Sequence, residues 1–311
     1  MAVLEAGLTR RGVQIIATSP VRHAWWDDAA LMQKIAEAQI LVINGEGTLH
    51  HGGAQGEALV RLARHPVRGT KPLFLINALY QENPPDWGEA LKTFTGLWAR
   101  DSRSAAAMAQ ATGRPVGSFG DLTLCGDSIA GTGPRQGIVL GDSVKKKVSR
   151  RLAQLSTARP GCKLVPIVQD LKSVRDRTGL AAVMRRIENS LFTAASRWRY
   201  PALQLLPDQA AYAEVLRQAA VHVTGRFHGV CFSVATETPF VTLSSNSWKS
   251  EALIADVGLS TDRLVAPDRL TPDLLDRDWS YSVQERTAIR NFLSMSAAAA
   301  ARAFDEIAAA A

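Results

Sequence analysis

The sequence predicts an α/β protein of two domains, each built on a parallel sheet, and three observations lead there. Short apolar runs such as Ile40–Ile43, Leu73–Ile76 and Val221–Val223 each end in a polar stretch and are followed by a helical pattern. A length of 311 residues suits two domains of ordinary size. Between Cys125 and Gln136 glycines and a proline replace large apolar residues, which marks a boundary. The expected division is 1–130, 131–280 and a C-terminal helix over 281–311.

In order, Ala2–Arg11 reads as a helix and Val13–Ala17 as the first strand. Leu31, Ile35 and Ala38 recur at helical spacing and lead into the buried-strand run Ile40–Ile43, which enters a polar, glycine-rich loop, Asn44–Gly53. A helix over Ala54–Arg64 precedes the strand Leu73–Ile76, with Asn77 and Tyr80-Gln81 at its end. A short strand at Leu97–Ala99 delivers Arg100-Asp101-Ser102, whose acid and serines suit the N-terminus of the helix that runs to Thr112. Val116–Phe119 is the next strand, ending in Gly120-Asp121.

The alternation then repeats. Ile138–Leu140 and Leu164–Val168 read as strands, the latter ending in Gln169-Asp170; Val148, Leu152 and Leu155 mark a helix face, and Met184, Ile187 and Leu191 mark another helix. Leu203–Leu206 leads to Asp208, a cap for a helix presenting Tyr212, Val215, Leu216 and Ala219. Val221–Val223 and Phe240–Leu243 are strands ending respectively in Arg226-Phe227-His228 and in Ser244-Ser245-Asn246 with Lys249 beyond. The tail from Val283 is helical and offers Ile289, Phe292, Leu293, Phe304 and Ile307 for packing.

Composition is that of a soluble globular chain, 46% hydrophobic and 21% charged. Cys125, Cys162 and Cys231 lack C-x-x-C spacing, so neither a zinc site nor a disulfide framework is expected, and a reducing compartment fits. No run approaches the ~20 apolar residues of a membrane span, and the N-terminus lacks a signal-peptide pattern. A cytoplasmic protein is expected. The net charge of +7 is compatible with nucleic acid, an anionic membrane surface or an anionic small substrate. Lys145-Lys146-Lys147 with Arg150-Arg151, and Arg175, Arg177, Arg185 and Arg186, lie in helical segments without aromatic interleaving. They read first as solvated helix faces and next as attraction to a membrane surface, with no nucleic acid partner.

Two successive strand ends therefore aim polar groups at one place. Arginine carries a permanent cationic fork suited to carboxylate or phosphate, and histidine exchanges a proton near neutral pH. Arg226 and His228, between Gly225 and Gly229, thus suit an anionic substrate; the alternative is a capping histidine and an arginine paired to a buried acid. Asn44–Gly53 matches neither G-x-G-x-x-G nor a P-loop, and reads as a ligand-wrapping loop or a tight turn. His50-His51 are adjacent and point differently, so they form no metal pair. Trp25-Trp26 suits packing or a sugar ring. Asp121 and Asp170 each follow a strand, where a carboxylate serves as base, helix cap or ion-pair partner.

Arg226-Phe227-His228-Gly229, Thr238-Pro239-Phe240-Val241 and Asn246 with Lys249 resemble the C-terminal signature of the polysaccharide pyruvyl transferase family. Gly45-Glu46-Gly47-Thr48-Leu49 resembles its G-G-G-x-L loop, Arg100–Ser104 with Gly113 its R-D-x-x-S…G segment, and Gly120–Leu124 its aspartate after the strand leading out of the first domain. The resemblance spans residues 40 to 260. It implies a GT-B-like architecture: two Rossmann-type domains with parallel sheets facing across a cleft, and a C-terminal helix crossing back. It also implies transfer of pyruvyl from phosphoenolpyruvate to a sugar as a ketal, releasing phosphate, with no cofactor and no obligatory metal.

On that resemblance His228 serves proton transfer or phosphate departure, Arg226 and Lys249 carry phosphate and carboxylate charge, and Asp121 deprotonates the acceptor. Asn246, Asn44, Gly45, Glu46, Gly47 and Arg100 complete the substrate contacts. Residues 131–280 then form the phosphoenolpyruvate side and 1–130 the acceptor side, the acceptor being a saccharide or lipid-linked saccharide at the inner face of the membrane. The chain departs from the pattern in three places. It opens at the helix that follows the family's first strand and N-x-G-D loop, Glu46 replaces a glycine, and Gly141-Asp142-Ser143 replaces an arginine-bearing strand end, leaving Lys145 as a substitute. The rival readings are a GT-B glycosyltransferase using a nucleotide sugar and a non-catalytic sugar- or anion-binding protein.

Overall fold

The computed structural model describes residues 2–126, 129–131, 133–168 and 179–311. The chain divides into two units: residues 1–127, 252–258 and 288–311, and residues 128–251 and 259–287. Both units are discontinuous in sequence.

The first unit contains helices α1 (Ala2–Thr9) and α2 (Ala29–Glu37), strand β1 (Leu41–His50), α3 (Ala54–Arg64), β2 (Leu73–Gln81), α4 (Pro85–Leu91), β3 (Gly96–Ala99), α5 (Ser102–Thr112) and β4 (Gly117–Ser118). The four strands are parallel in the order β1-β2-β3-β4. Parallel sheets are covered on both faces, and β2 is buried along its whole length. Leu73 and Leu75 pack with Val60, Leu91 and Met108 from α3, α4 and α5. Phe74 and Ile76, one residue out of phase, face Leu4 and Leu8 of α1 together with Ala300, Ala303, Phe304 and Ile307 from the end of the chain.

Two expectations are corrected here. Val13–Ala17 forms no strand; Ile15 and Ile16 remain exposed, because an apolar run without a ladder partner has nowhere to place its amides and carbonyls except water. The segment from Asn44 to His50 is no loop: it continues β1, with Glu46 opposite Ala78 and His50 opposite Gln81. The ladder is irregular between Glu46 and Leu49.

The second unit contains β5 (Ile138–Ser143), α6 (Lys146–Ala158), β6 (Cys162–Leu164), α7 (Gly179–Arg199), α8 (Gln209–Gln218), β7 (Val221–Gly225), α9 (Phe227–Ala235), β8 (Phe240–Leu243), the start of α10 (Lys249–Val257) and β9 (Leu264–Val265). Its strands are parallel in the order β6-β5-β7-β8-β9. Val148, Leu152 and Leu155 of α6 pack on Leu140, Val223 and Val241, which leaves Lys145–Lys147, Arg150 and Arg151 exposed. Tyr212, Leu216 and Ala219 pack with Val139 and Val165.

Leu203–Leu206 reduces to one bridge between Leu203 and Leu164, and the short β9 had no signal in the sequence. Met184, Ile187 and Leu191 of α7 point outward, and the largely polar side of this helix takes the inward position. Gln169, Asp170, Arg175 and Arg177 lie outside the described residues.

The last helix, α11 (Val283–Ala309), belongs to the first unit from residue 288 on. Ile289, Phe304 and Ile307 are buried, as are the small residues Ser296, Ala299, Ala300 and Ala303, and Phe292 and Leu293 are half-buried. Small residues let this helix lie near the chain: the amide of Gly120 donates to Ser296 Oγ at 3.1 Å.

Candidate active site

β5, β7 and β8 are neighbours in the second sheet, and ligands of open α/β sheets bind beyond the carboxyl ends of such strands. β7 is buried from Val221 to Gly225 and stops at Arg226, whose extended backbone forms the N-cap of α9. A Cβ on Gly225 would lie 2.5 Å from Ser143 Oγ, so only glycine lets β7 approach the end of β5 this closely. That approach matters because β5 contributes Asp142. Arg226 Nε donates to Asp142 Oδ2 at 2.7 Å, the amide of Ile167 donates to Asp142 Oδ1 at 3.0 Å, and the amide of Arg226 donates to Thr224 Oγ1 at 3.1 Å. The arginine is thereby fixed at its Nε edge, and the outer ends of its fork have no acceptor among the described residues.

His228, the second residue of α9, is exposed; its ring lies against Phe227 and takes no hydrogen bond among the described residues. It is not the helix cap, because no side chain caps α9. On the next strand, the amide of Ser244 donates to Val265 O at 3.2 Å and Ser245 Oγ donates to Asn246 Oδ1 at 3.1 Å. Asn246 is exposed and Lys249, half-buried, opens α10. In this turn Ser247 Oγ and Glu251 Oε2 are buried without a hydrogen-bond partner among the described residues.

A second histidine nearby has a different character. His222 is fully buried, with Nδ1 2.7 Å from Ser233 Oγ and Nε2 3.3 Å from the Tyr212 hydroxyl. Burial pushes its pKa down to about 3, so it is a neutral structural group. Tyr212 is pushed upward by the same burial.

In the first unit, Gly45 lies so near β2 that a Cβ would meet Ala78 Cβ at 2.7 Å. Glu46 and Asn77, at the irregular part of this ladder, have φ of +40° and +53°, a conformation non-glycine residues hold only where their surroundings impose it. Their side chains form one network: Asn77 Nδ2 donates to Asn44 Oδ1 at 3.0 Å, Asn44 Nδ2 donates to Glu46 Oε1 at 3.1 Å, and Asn77 Oδ1 accepts from the amide of Leu122 at 3.3 Å.

Arg100 and Asp121 are both buried and face one another, Nη1 to Oδ2, at 3.7 Å. Asp121 Oδ1 also accepts from the amide of Thr123 at 3.0 Å and from its hydroxyl at 2.8 Å. This is the geometry of a helix cap and an ion-pair partner, two of the three roles open to it. A Cβ on Gly47 would lie 3.5 Å from Arg100 Nη2, so Arg100 underlies the turn of β1. Asp101 caps α5 through Ser104, with its carboxyl raised by burial.

The remaining candidates are structural. Trp25 is buried and donates to Ala58 O at 3.0 Å, Trp26 stacks on Arg61, and His51 pairs with Glu82 at 3.0 Å.

Arg226, His228, Asn246 and Lys249 therefore follow neighbouring strands of one sheet, while Asn44, Gly45, Glu46, Gly47, Arg100 and Asp121 belong to the other unit. The sequence places Asn77 at a strand end and Asp142 in a departure from the family pattern, but marks neither as a site residue. Both stand at strand ends, which is the only signal either carries. With cations beside a helix N-terminus and an exposed imidazole, the second unit can bind an anion and exchange a proton.

Among solved structures the chain is similar to a glycotransferase of kitacinnamycin, at 14% identity and TM-score 0.46, with 97% of this chain and 88% of that one covered. It is also similar to a UDP-glucosyltransferase from Polygonum tinctorium capable of glucosylating indoxyl, at 12% identity and TM-score 0.47, with 90% and 78% covered. Against curated proteins it has no significant match. A family model described as polysaccharide pyruvyl transferase matches residues 79–247.

Proposed function

The chain belongs to the polysaccharide pyruvyl transferase family, and is thus a transferase; from that membership we propose that it moves pyruvyl from phosphoenolpyruvate to two hydroxyls of a cell-envelope or exopolysaccharide sugar. One observation carries the donor side: Arg226, held by Asp142 at the end of β7, stands two residues from the exposed His228 at the start of α9.

In this reading the outer fork of Arg226, the ammonium of Lys249 and the first amides of α9 hold the phosphate and carboxylate of phosphoenolpyruvate. Protonated His228 gives its proton to the methylene carbon of the enol, which becomes the methyl group and leaves the neighbouring carbon electron-poor. A sugar hydroxyl adds there and passes its proton to the now neutral His228, and the proton of the second hydroxyl leaves with the phosphate. The carbon–oxygen bond to phosphate breaks, and a second hydroxyl closes the ketal. Charge gathers on the departing phosphate, where fixed cations stabilise it most.

Asn44 and Glu46 offer acceptor and donor atoms to sugar hydroxyls, and Asn246 adds a polar contact at the donor. Asp121, engaged with Arg100 and Thr123, supports the turn of β1 rather than taking the acceptor proton.

The test is mass spectrometry of a saccharide pool incubated with enzyme and phosphoenolpyruvate, with phosphate release measured in parallel. His228→Ala should lower turnover at least ~100-fold, the range of general acid catalysis, with the melting temperature held within about 2 °C because the ring is exposed. Full turnover by this variant removes His228 from the chemistry. Stabilisation by uridine nucleotides without any phosphate release from phosphoenolpyruvate replaces the donor.

A further inference from the structure

Helix α7 is amphipathic in the wrong sense for a core helix. Leu180, Met184, Ile187, Leu191 and Trp198 fall on one stripe, spaced four, three, four and seven apart, and they are 77%, 55%, 48%, 66% and 87% exposed. No residue of this 21-residue helix is buried. The residues that gain partial cover are Ala182, Arg185, Asn189, Thr193 and Ser196, on the opposite, largely polar side. The folded unit therefore holds α7 by its polar face and turns its apolar face outward, an arrangement that costs free energy unless something covers that face.

The charges say what fits. Arg186 and Arg197 lie on one flank of the stripe and Arg199 on the other, each about 100–120° from its centre, and all three are exposed. Glu188 is the only acid on the helix. Two copies packed stripe to stripe would bring like-charged flanks together. An anionic lipid surface offers phosphates at the depth where arginines beside a buried stripe reach them, and the aromatic ring of Trp198 suits that boundary. Among the described residues no helix is long and apolar enough to cross a membrane, so the arrangement is one of lying on the surface. We propose that α7 is an interfacial helix that seats the second unit on an anionic membrane surface, its apolar stripe in the acyl boundary and Arg186, Arg197 and Arg199 on lipid phosphates. This stands apart from the donor reading and does not depend on it.

The experiment is co-sedimentation of the full chain with phosphatidylglycerol vesicles and with phosphatidylcholine vesicles, alongside its mass in solution by light scattering. Each arginine near an anionic surface should strengthen binding about fivefold, so phosphatidylglycerol should be preferred by roughly a hundredfold at low salt. Leu191→Glu with Trp198→Glu should abolish binding to both vesicles. Arg186→Glu with Arg197→Glu should erase the preference for phosphatidylglycerol. All four positions are exposed, so both variants should keep the wild-type melting temperature. Absence of wild-type binding to phosphatidylglycerol overturns the proposal, as does equal binding to both lipids. A dimer that the Leu191 and Trp198 changes dissociate, with no vesicle binding by the wild type, assigns the stripe to a second copy instead.

Discussion

Replacing Gly225 by alanine puts the contact between β5 and β7 to a direct test. The added Cβ would sit 2.5 Å from Ser143 Oγ and 2.6 Å from Ser143 Cβ, about 1 Å inside an ordinary carbon contact. Turning the Ser143 hydroxyl away leaves its Cβ in place on the backbone, so the strand ends must separate. Overpacking of this kind costs about 1–3 kcal/mol, which for a unit of this size is a fall in melting temperature of about 2–12 °C. Arg226 is the next residue and would be drawn from Asp142 Oδ2, now 2.7 Å away, so a displacement near 1 Å should also cost about a hundredfold in turnover.

Ser143→Gly removes both clashing atoms. Alone it should destabilise, because it deletes the oxygen that accepts from the amide of Lys145 at 3.2 Å and frees the backbone. Combined with Gly225→Ala it should recover about 1–2 kcal/mol relative to the sum of the single changes. Thermal melting of the four proteins and phosphate release from phosphoenolpyruvate measure both effects. Additivity within about 0.3 kcal/mol, or a Gly225→Ala protein that melts and turns over like wild type, would refute the argument.

Arg226→Lys keeps the charge but not the fork: an ammonium cannot hold Asp142 and still present two planar donors, so the KM for phosphoenolpyruvate should rise roughly tenfold, and an unchanged KM would remove the fork from donor binding. His222 titrates near 3 folded and at 6.5 unfolded, so below pH 6.5 the unfolded chain binds a proton the folded chain refuses, and stability falls with acidification by up to about 1.4 kcal/mol per pH unit. Urea denaturation at about pH 7 and about pH 4.5 should show wild type losing about 2–3 kcal/mol more than His222→Gln, and parallel losses would count against a neutral buried imidazole. Arg100→Leu leaves the Asp121 carboxylate buried beside an apolar group and should cost about 3–5 kcal/mol, much of it returned by adding Asp121→Asn; equal stability of the two proteins would deny the pair its role.

The parts of this fold that could be read in advance are those whose cause is local. Asp101 and Asp208 cap α5 and α8 as the sequence suggested, each accepting from an amide three residues on. Leu73–Ile76 is a strand with two apolar faces, and Val221 and Val223 give β7 one apolar face. The polar continuation of β1 had no such mark: Gly45–His50 is a strand only because β2 lies beside it, a partner some thirty residues away in sequence.

Periodicity revealed that α7 has two faces but could not say which one the protein would occupy. The site divides in the same way. Arg226, His228 and Lys249 stood at strand ends and helix starts, which the chain order exposes. Asp142 lies 84 residues from the arginine it holds, and nothing in its neighbourhood points there. Asp121 followed a strand as a base would, and its acceptor atoms turned out to be engaged by Thr123 and Arg100.

The return of α11 to the first unit bears on how the protein is made. Phe74 and Ile76, on one face of the first sheet, are covered by Ala300, Ala303, Phe304 and Ile307, which are synthesised after the whole of the second unit. Domains commonly complete themselves in order as they leave the ribosome. Here the half that emerges first must wait, its sheet uncovered on one side, until the whole of the second unit has been translated.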